Sequence, residues 1–155
     1  MKLRTVAVDN RRREFRVRAD RRTLSFPFAK ADPPPTREDP VVDASVDPEL
    51  GAEGFTYELA SGRSGTVHVE QVLEYNQDPA HLRDLLLYQL TLEAQKLVAA
   101  SPLSKREIIR RLGTSPSQLY RILDQTNYRK TVDQVLRLLG VLGGDVRVTV
   151  RARAG

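Results

Sequence analysis

Hydrophobic residues are spaced along the chain with two periods, and the change from one to the other falls near Asp78-Pro79. Before that point apolar and polar residues alternate in short runs, the signature of half-buried strands. Residues 3–8, 14–18 and 23–28 are such runs, rich in β-branched and aromatic side chains and separated by turns at Asp9-Asn10 and Asp20-Arg21. A later stretch, FTYELASGRSGTVHVEQVLEY, predicts a hairpin. Phe55, Tyr57 and Leu59 share one face, Ser61-Gly62 and Ser64-Gly65 make the turn, and Val67 and Val69 lie on the returning strand. Between these regions, residues 31–54 repeat proline and are poor in apolar residues, which excludes a regular helix or a central strand and predicts a long acidic loop or ordered arm.

From Asp78 the period becomes helical, with Asp78 as N-cap and Pro79 at the first helical position. Over residues 80–100, Leu82, Leu86, Leu90, Leu97 and Val98 form one face, and Leu85 and Leu92 widen it. Such width implies contacts on more than one side; a helix buried on both flanks within its own chain is preferred to a dimer seam. Residues 103–123, LSKREIIRRLGTSPSQLYRIL, predict two short helices joined at Gly113. Ser104 and Glu107 form a capping box, Gly113 supplies the left-handed stop, and Ser115-Pro116 starts the second helix. Leu103, Ile108, Leu112, Leu119 and Ile122 fall where two crossed helices would face a common core.

A further helix opens on a Thr131/Gln134 capping box, carries Val135, Leu138, Leu139 and Leu142 inward, and ends at Gly143-Gly144. Residues 145–153 then alternate, with Val146, Val148 and Val150 facing inward and Arg147, Thr149, Arg151 and Arg153 outward. This predicts a half-buried strand, which needs a partner: the N-terminal sheet or the same strand of a second subunit. The fold class expected is α+β, with a β-rich domain over residues 1–77 and a helical domain over residues 78–155 that ends in a β-strand.

Charge sharpens this division. Residues 1–30 carry ten Lys/Arg against three Asp/Glu, residues 31–78 two against eleven, and residues 79–155 thirteen against six. A basic half carrying paired short helices is what an electrostatic grip on phosphate requires. Cysteine is absent, so disulfide and thiolate chemistry are excluded. The opening MKLRTVAVDN lacks the apolar run of a signal peptide and no stretch approaches a membrane span, so the expected protein is soluble and cytoplasmic, with no membrane partner.

The stretch SKREIIRRLGTS resembles the first helix and turn of the lambda-repressor-like, or Xre, helix-turn-helix family, matching its pattern at Ser104, Glu107, Leu112, Gly113 and Ser115. Lys105 stands where that family commonly has a phosphate-binding glutamine, and Ile109 where it has a small alanine. The segment KTVDQVLRLLGVLGGDVRVTV is similar to the closing helix and strand of antitoxin-type members, so the resemblance covers residues 80–150, about half the chain. It implies a second helix that enters the major groove of duplex DNA.

On that reading Ser117, Gln118, Tyr120 and Arg121 are the candidates for base contact, and Arg121 leads because a guanidinium can bond guanine O6 and N7 together. Lys105, Arg106, Ser115, Tyr128, Arg129 and Lys130 are the candidates for phosphate contact. Arg11-Arg12-Arg13 is read as a flexible basic turn, in preference to a second nucleic-acid or partner contact. The expectation is a sequence-specific, double-stranded-DNA-binding transcriptional repressor acting as a homodimer, since one short recognition helix reads few base pairs. The alternatives are an antitoxin whose N-terminal domain neutralises a partner toxin, for which eleven carboxylates suit a basic target, and an interaction module that does not touch DNA. His68 and His81 are isolated, and Glu49, Glu53, Glu58, Glu70 and Glu74 show no metal or acid–base spacing, so no catalytic residue, metal or cofactor is expected.

Overall fold

The computed structural model describes residues 1–153, so the last two residues of the span 78–155 lie outside it. The protein is α+β: two three-stranded antiparallel sheets and five helices. It divides into two compact units, one spanning Met1–Leu82 and one beginning at Arg83.

In the first unit, β1 (Thr5–Asp9), β2 (Glu14–Ala19) and β3 (Arg22–Pro27) form a meander with β2 in the centre. The first connection is set by Asp9, whose Oδ1 accepts from the Arg11 and Arg12 amides at 3.1 and 3.0 Å. The arginine run is therefore an ordered turn, closed by Arg13, whose guanidinium donates to the Pro35 carbonyl at 3.1 Å and lies 5.5 Å from the Phe28 ring centroid. A second sheet is built from β4 (Val41–Val46), β5 (Gly54–Leu59) and β6 (Ser64–His68), in that spatial order. Phe15, Val17 and Phe26 of the first sheet and Phe55, Tyr57 and Leu59 of the second belong to one buried core. The Phe15 ring lies 5.0, 4.9 and 5.0 Å from those of Phe28, Phe55 and Tyr57, within the range of favourable tilted aromatic contacts.

Two expectations for this unit are corrected. The proline-rich segment contains β4, which pairs antiparallel with β5 from Val41↔Leu59 to Val46↔Phe55. Its place at the sheet edge explains why Pro40 and Pro48 on either side are tolerated. Farther along the predicted hairpin, β6 stops at His68, and Val69 opens α1 (Val69–Tyr75) instead of prolonging the strand. Gln71 fixes the start of α1, its Oε1 accepting from the His68 amide at 2.8 Å. Val69, Val72 and Leu73 then face the core with helical spacing.

Asp78 caps α2 (Pro79–Ala100), accepting from the His81 amide at 3.1 Å. Within the second unit, α3 (Lys105–Leu112), α4 (Pro116–Leu123) and α5 (Val132–Val141) pack with α2 around Leu87, Ile108, Leu119, Ile122, Val135 and Leu138. The buried line of α2 is Leu87, Thr91 and Ala94, not the row through Leu82, Leu86 and Leu90. Thr91 belongs there because its hydroxyl donates to the Leu87 carbonyl at 2.6 Å, leaving no unsatisfied group in the seam. The flank carrying Leu86, which is 42% exposed, is not buried within the chain.

The terminal strand is the largest correction. Residues 145–153 pair with no strand among the described residues. Val146, Val148 and Val150 are 43%, 82% and 89% exposed, where the alternation predicted them buried.

Candidate functional site

The candidate site rests on the helix pair α3–α4, and local chemistry explains its geometry. Ser104 Oγ accepts from the Glu107 amide at 3.1 Å, satisfying one orphan donor at the start of α3. Only half of the expected capping box forms. Instead of returning to the Ser104 backbone, the Glu107 carboxylate accepts from Arg110 Nε and Arg111 Nε, each at 2.9 Å. These two arginine bonds hold the Glu107 pKa down at about 2. At the other end Gly113 takes φ +68°, and its amide and that of Thr114 bond to the Arg110 and Ile109 carbonyls. A side chain is strained in that conformation, so glycine makes this reversal. α4 begins with Ser115 as N-cap and Pro116 inside the first turn, the Ser115 hydroxyl accepting from the Gln118 amide at 3.2 Å.

This arrangement separates two faces of α4. Leu119 and Ile122 are buried, while Ser117, Tyr120 and Arg121 are exposed and Gln118 is half-buried. Tyr120 reaches back towards α3, where Lys105 Nζ lies 5.4 Å from its ring centroid, a cation–π distance. Lys105 and Arg106 stand exposed at the start of α3. Among the described residues no carboxylate pairs with the side chains of Lys105, Arg106, Arg121 or Arg129, in contrast to Arg110 and Arg111. Ser115 Oγ lies 3.2 Å from Ser117 Oγ as well as capping the helix.

The loop from Asp124 to Thr131 is held by side chains that the sequence did not single out. Arg83, at the start of the second unit, donates to the Tyr128 and Lys130 carbonyls at 3.1 and 3.2 Å. Gln95 of α2 donates to the Leu123 carbonyl at 2.8 Å, and Asn127 Nδ2 donates to the Arg121 carbonyl at 3.0 Å. The loop and α4 thereby border a polar cleft lined by Gln118, Arg121, Thr126, Asn127 and Arg129. Tyr128 and Arg129 are exposed beside it.

Lys130 departs from its expected role. It is 4% exposed, and its ammonium donates to the Ile122 and Asp124 carbonyls at 2.8 and 2.7 Å. Loss of solvent pushes its pKa below the usual lysine value, against the pull of Asp124. A cation so placed caps the C-terminal end of α4, where the helix dipole favours positive charge, and is not a free surface contact.

The remaining chemistry-bearing residues are dispersed. His68 is exposed at the end of β6 and His81 lies in the first turn of α2. Among the described residues no group of three or more His, Asp or Glu side chains is placed to hold a metal ion. No described helix is long and apolar enough to cross a membrane. Compared with protein-family models, curated proteins and solved structures, the chain has no significant match in any of the three.

Proposed function

We propose that the protein binds duplex DNA with α4 as the reading helix of a helix-turn-helix, as a homodimeric transcriptional repressor of the lambda-repressor-like kind. The observation that supports this reading is the sorting of charge on α3–α4. The arginines of the last turn of α3 are neutralised by Glu107, whereas Lys105, Arg106, Arg121 and Arg129 are exposed and have no carboxylate partner among the described residues. Arg121 carries base readout, with Ser117, Gln118 and Tyr120 beside it. Lys105, Arg106 and Arg129 anchor phosphates, and Ser115 and Tyr128 flank them. Lys130 leaves the contact set and becomes the group that holds the loop in place.

The test is selection from a randomised duplex pool followed by titration of the selected site. Arg121→Ala should weaken that site by about 1–3 kcal/mol and relax choice at one base pair, with non-specific affinity nearly unchanged. An unaltered site preference in the folded variant would demote α4 to a scaffold element.

A second reading, neutralisation of a basic toxin by the N-terminal unit, draws on one feature of the second sheet. Asp43 and Glu58 stand directly opposite each other across β4–β5, both exposed, where like charges repel. A cationic partner would relieve that repulsion. Co-purification of a basic protein that Asp43→Lys releases, with Arg121→Ala retaining it, would favour this reading.

A further inference from the structure

The C-terminal tail is a strand by pattern, and its residues 145–152 pair with no strand among the described residues. It leaves α5 through Gly143, at φ +77°, and Gly144, where an added Cβ would lie 3.2 Å from Leu97 and 3.1 Å from the Leu139 carbonyl. Beyond this packed exit, Val146 and Val148 line an apolar groove with Leu86, Leu90, Leu92 and Leu136. The groove thus joins the uncovered flank of α2 to the unpaired tail. Three exposed valines at alternate positions, two of them beside a leucine-lined groove, form a surface that water does not favour.

We propose that the occupant of this surface is a second copy of the same tail, paired antiparallel about a two-fold axis through Val148. The register follows from side-chain chemistry. Directly opposed residues in an antiparallel pair share a face. Any register whose axis falls between residues would therefore set valines opposite arginines or threonines. An axis at Arg147 opposes Arg147 to itself, one at Thr149 opposes Arg147 to Arg151, one at Val150 opposes Arg147 to Arg153, and one at Val146 sets Val148 opposite Gly144, which is packed against Leu97 and bonded to the Leu139 carbonyl. With the axis at Val148, Val146 meets Val150, Val148 meets its own copy, Arg147 meets Thr149, and Asp145 meets Arg151. That register keeps every valine on one face and sets opposite charges against each other twice. Asp145 already accepts from Arg147 Nε at 3.2 Å on the same face, so Arg151 of the second copy would complete a carboxylate between two guanidinium groups. A two-stranded ribbon is marginal alone, and the leucine groove of each copy supplies the apolar floor it needs. This register deepens the homodimer part of the proposed function but involves no DNA residue.

The test needs no DNA, so its failure and that of the DNA-binding reading are distinguishable. The full chain at micromolar concentration should scatter light with twice the mass of one 155-residue chain. Because the protein has no cysteine, single cysteines report register without background. Val148→Cys places two Cα atoms about 4.5–5.5 Å apart, within disulfide reach, and should cross-link to a covalent dimer under mild oxidation. Arg147→Cys and Thr149→Cys sit diagonally, about 7–8 Å from their copies, and should cross-link far less. Asp145→Arg and Arg151→Asp should each shift the protein towards monomer, and the double exchange should restore the dimer. A monomeric wild-type mass, or cross-linking no stronger at position 148 than at 147 and 149, overturns the proposal. The substituted side chains are solvent-exposed in the single chain, so loss of folding does not confound the result.

Discussion

Replacing Lys130 with methionine separates a structural cation from a DNA-contacting one. The variant keeps the length and most of the volume of the side chain while deleting an ammonium that donates at 2.8 and 2.7 Å to two carbonyls. Hydrogen bonds from a charged group contribute about 1.5–3 kcal/mol each, and deletion also leaves the Ile122 carbonyl short of a donor, whereas that of Asp124 still accepts from the Asn127 amide at 3.1 Å. Part of that loss is offset because a buried ammonium no longer has to be desolvated. The balance is a destabilisation of about 2–3 kcal/mol, smaller than the two bonds together. For a unit of this size it corresponds to a fall of roughly 10–20 °C in the melting midpoint. The assay is denaturant unfolding followed by circular dichroism, which reports on the helical unit, paired with a salt titration of DNA affinity at a temperature where the variant is folded. If Lys130 only holds the loop, stability falls and the slope of log affinity against log salt is unchanged. The reasoning is refuted if stability stays within about 0.5 kcal/mol of wild type, the range of an ordinary surface substitution. A slope flattened by about two units, one per protomer, would restore Lys130 to the phosphate contacts.

Three further predictions concern other parts of the molecule. With Lys105, Arg106 and Arg129 of each protomer as the phosphate-contacting cations, log affinity of the dimer for duplex DNA should fall against log salt with a slope of about −5, and Lys105→Ala, present in both protomers, should remove about two units of it. Because the folded Glu107 pKa lies at about 2 and its ordinary value is 4.5, its stabilising effect is complete above the upper value and disappears as pH falls through the lower one. Melting curves of Glu107→Gln and wild type should therefore differ at neutral pH and converge between pH 4.5 and 2; a gap independent of pH contradicts the assignment. At Gly65 a methyl group would lie 2.6 Å from the Asp32 carbonyl oxygen and overlap the Tyr57 hydroxyl, which itself donates to the Pro33 carbonyl at 2.6 Å. Gly65→Ala should destabilise the N-terminal unit by about 1–3 kcal/mol, read as a lower urea midpoint with an unchanged slope.

The boundaries of α3, α4 and α5 were legible because they are set by neighbours in sequence. Ser104, Gly113, Ser115-Pro116 and the reciprocal pair Thr131/Gln134 act on backbone groups within four residues, so the chain alone specifies them. The same holds for the arginine turn at residues 10–13, fixed by Asp9. What failed was long-range. Val67 and Val69 are both buried, so alternation continued past the point where Gln71 turns the backbone into α1. Leucines surround so much of α2 that the helical spacing pointed to the row through Leu82, Leu86 and Leu90, whereas the buried row passes through a threonine that bonds its own helix. Lys130 reads as a surface cation beside Tyr128 and Arg129 until folding brings the carbonyls at the end of α4 within reach of its ammonium. The valine alternation of the tail records a preference for a strand, but a strand exists only where another backbone supplies the ladder.

The edge strand β4 has a consequence for how the protein behaves when crowded. It lies between Pro40 and Pro48, and its pairing with β5 slips between Val41 and Asp43, leaving Val42 as an extra residue that is 59% exposed. A bulge twists an edge away from flatness, and a charge such as that of Asp43 resists a stacked copy of the same strand. The outer rim of the second sheet is therefore a poor template for runaway growth, and nascent or concentrated chains would not zip together into fibres along it. The same segment that fills out the sheet also terminates it.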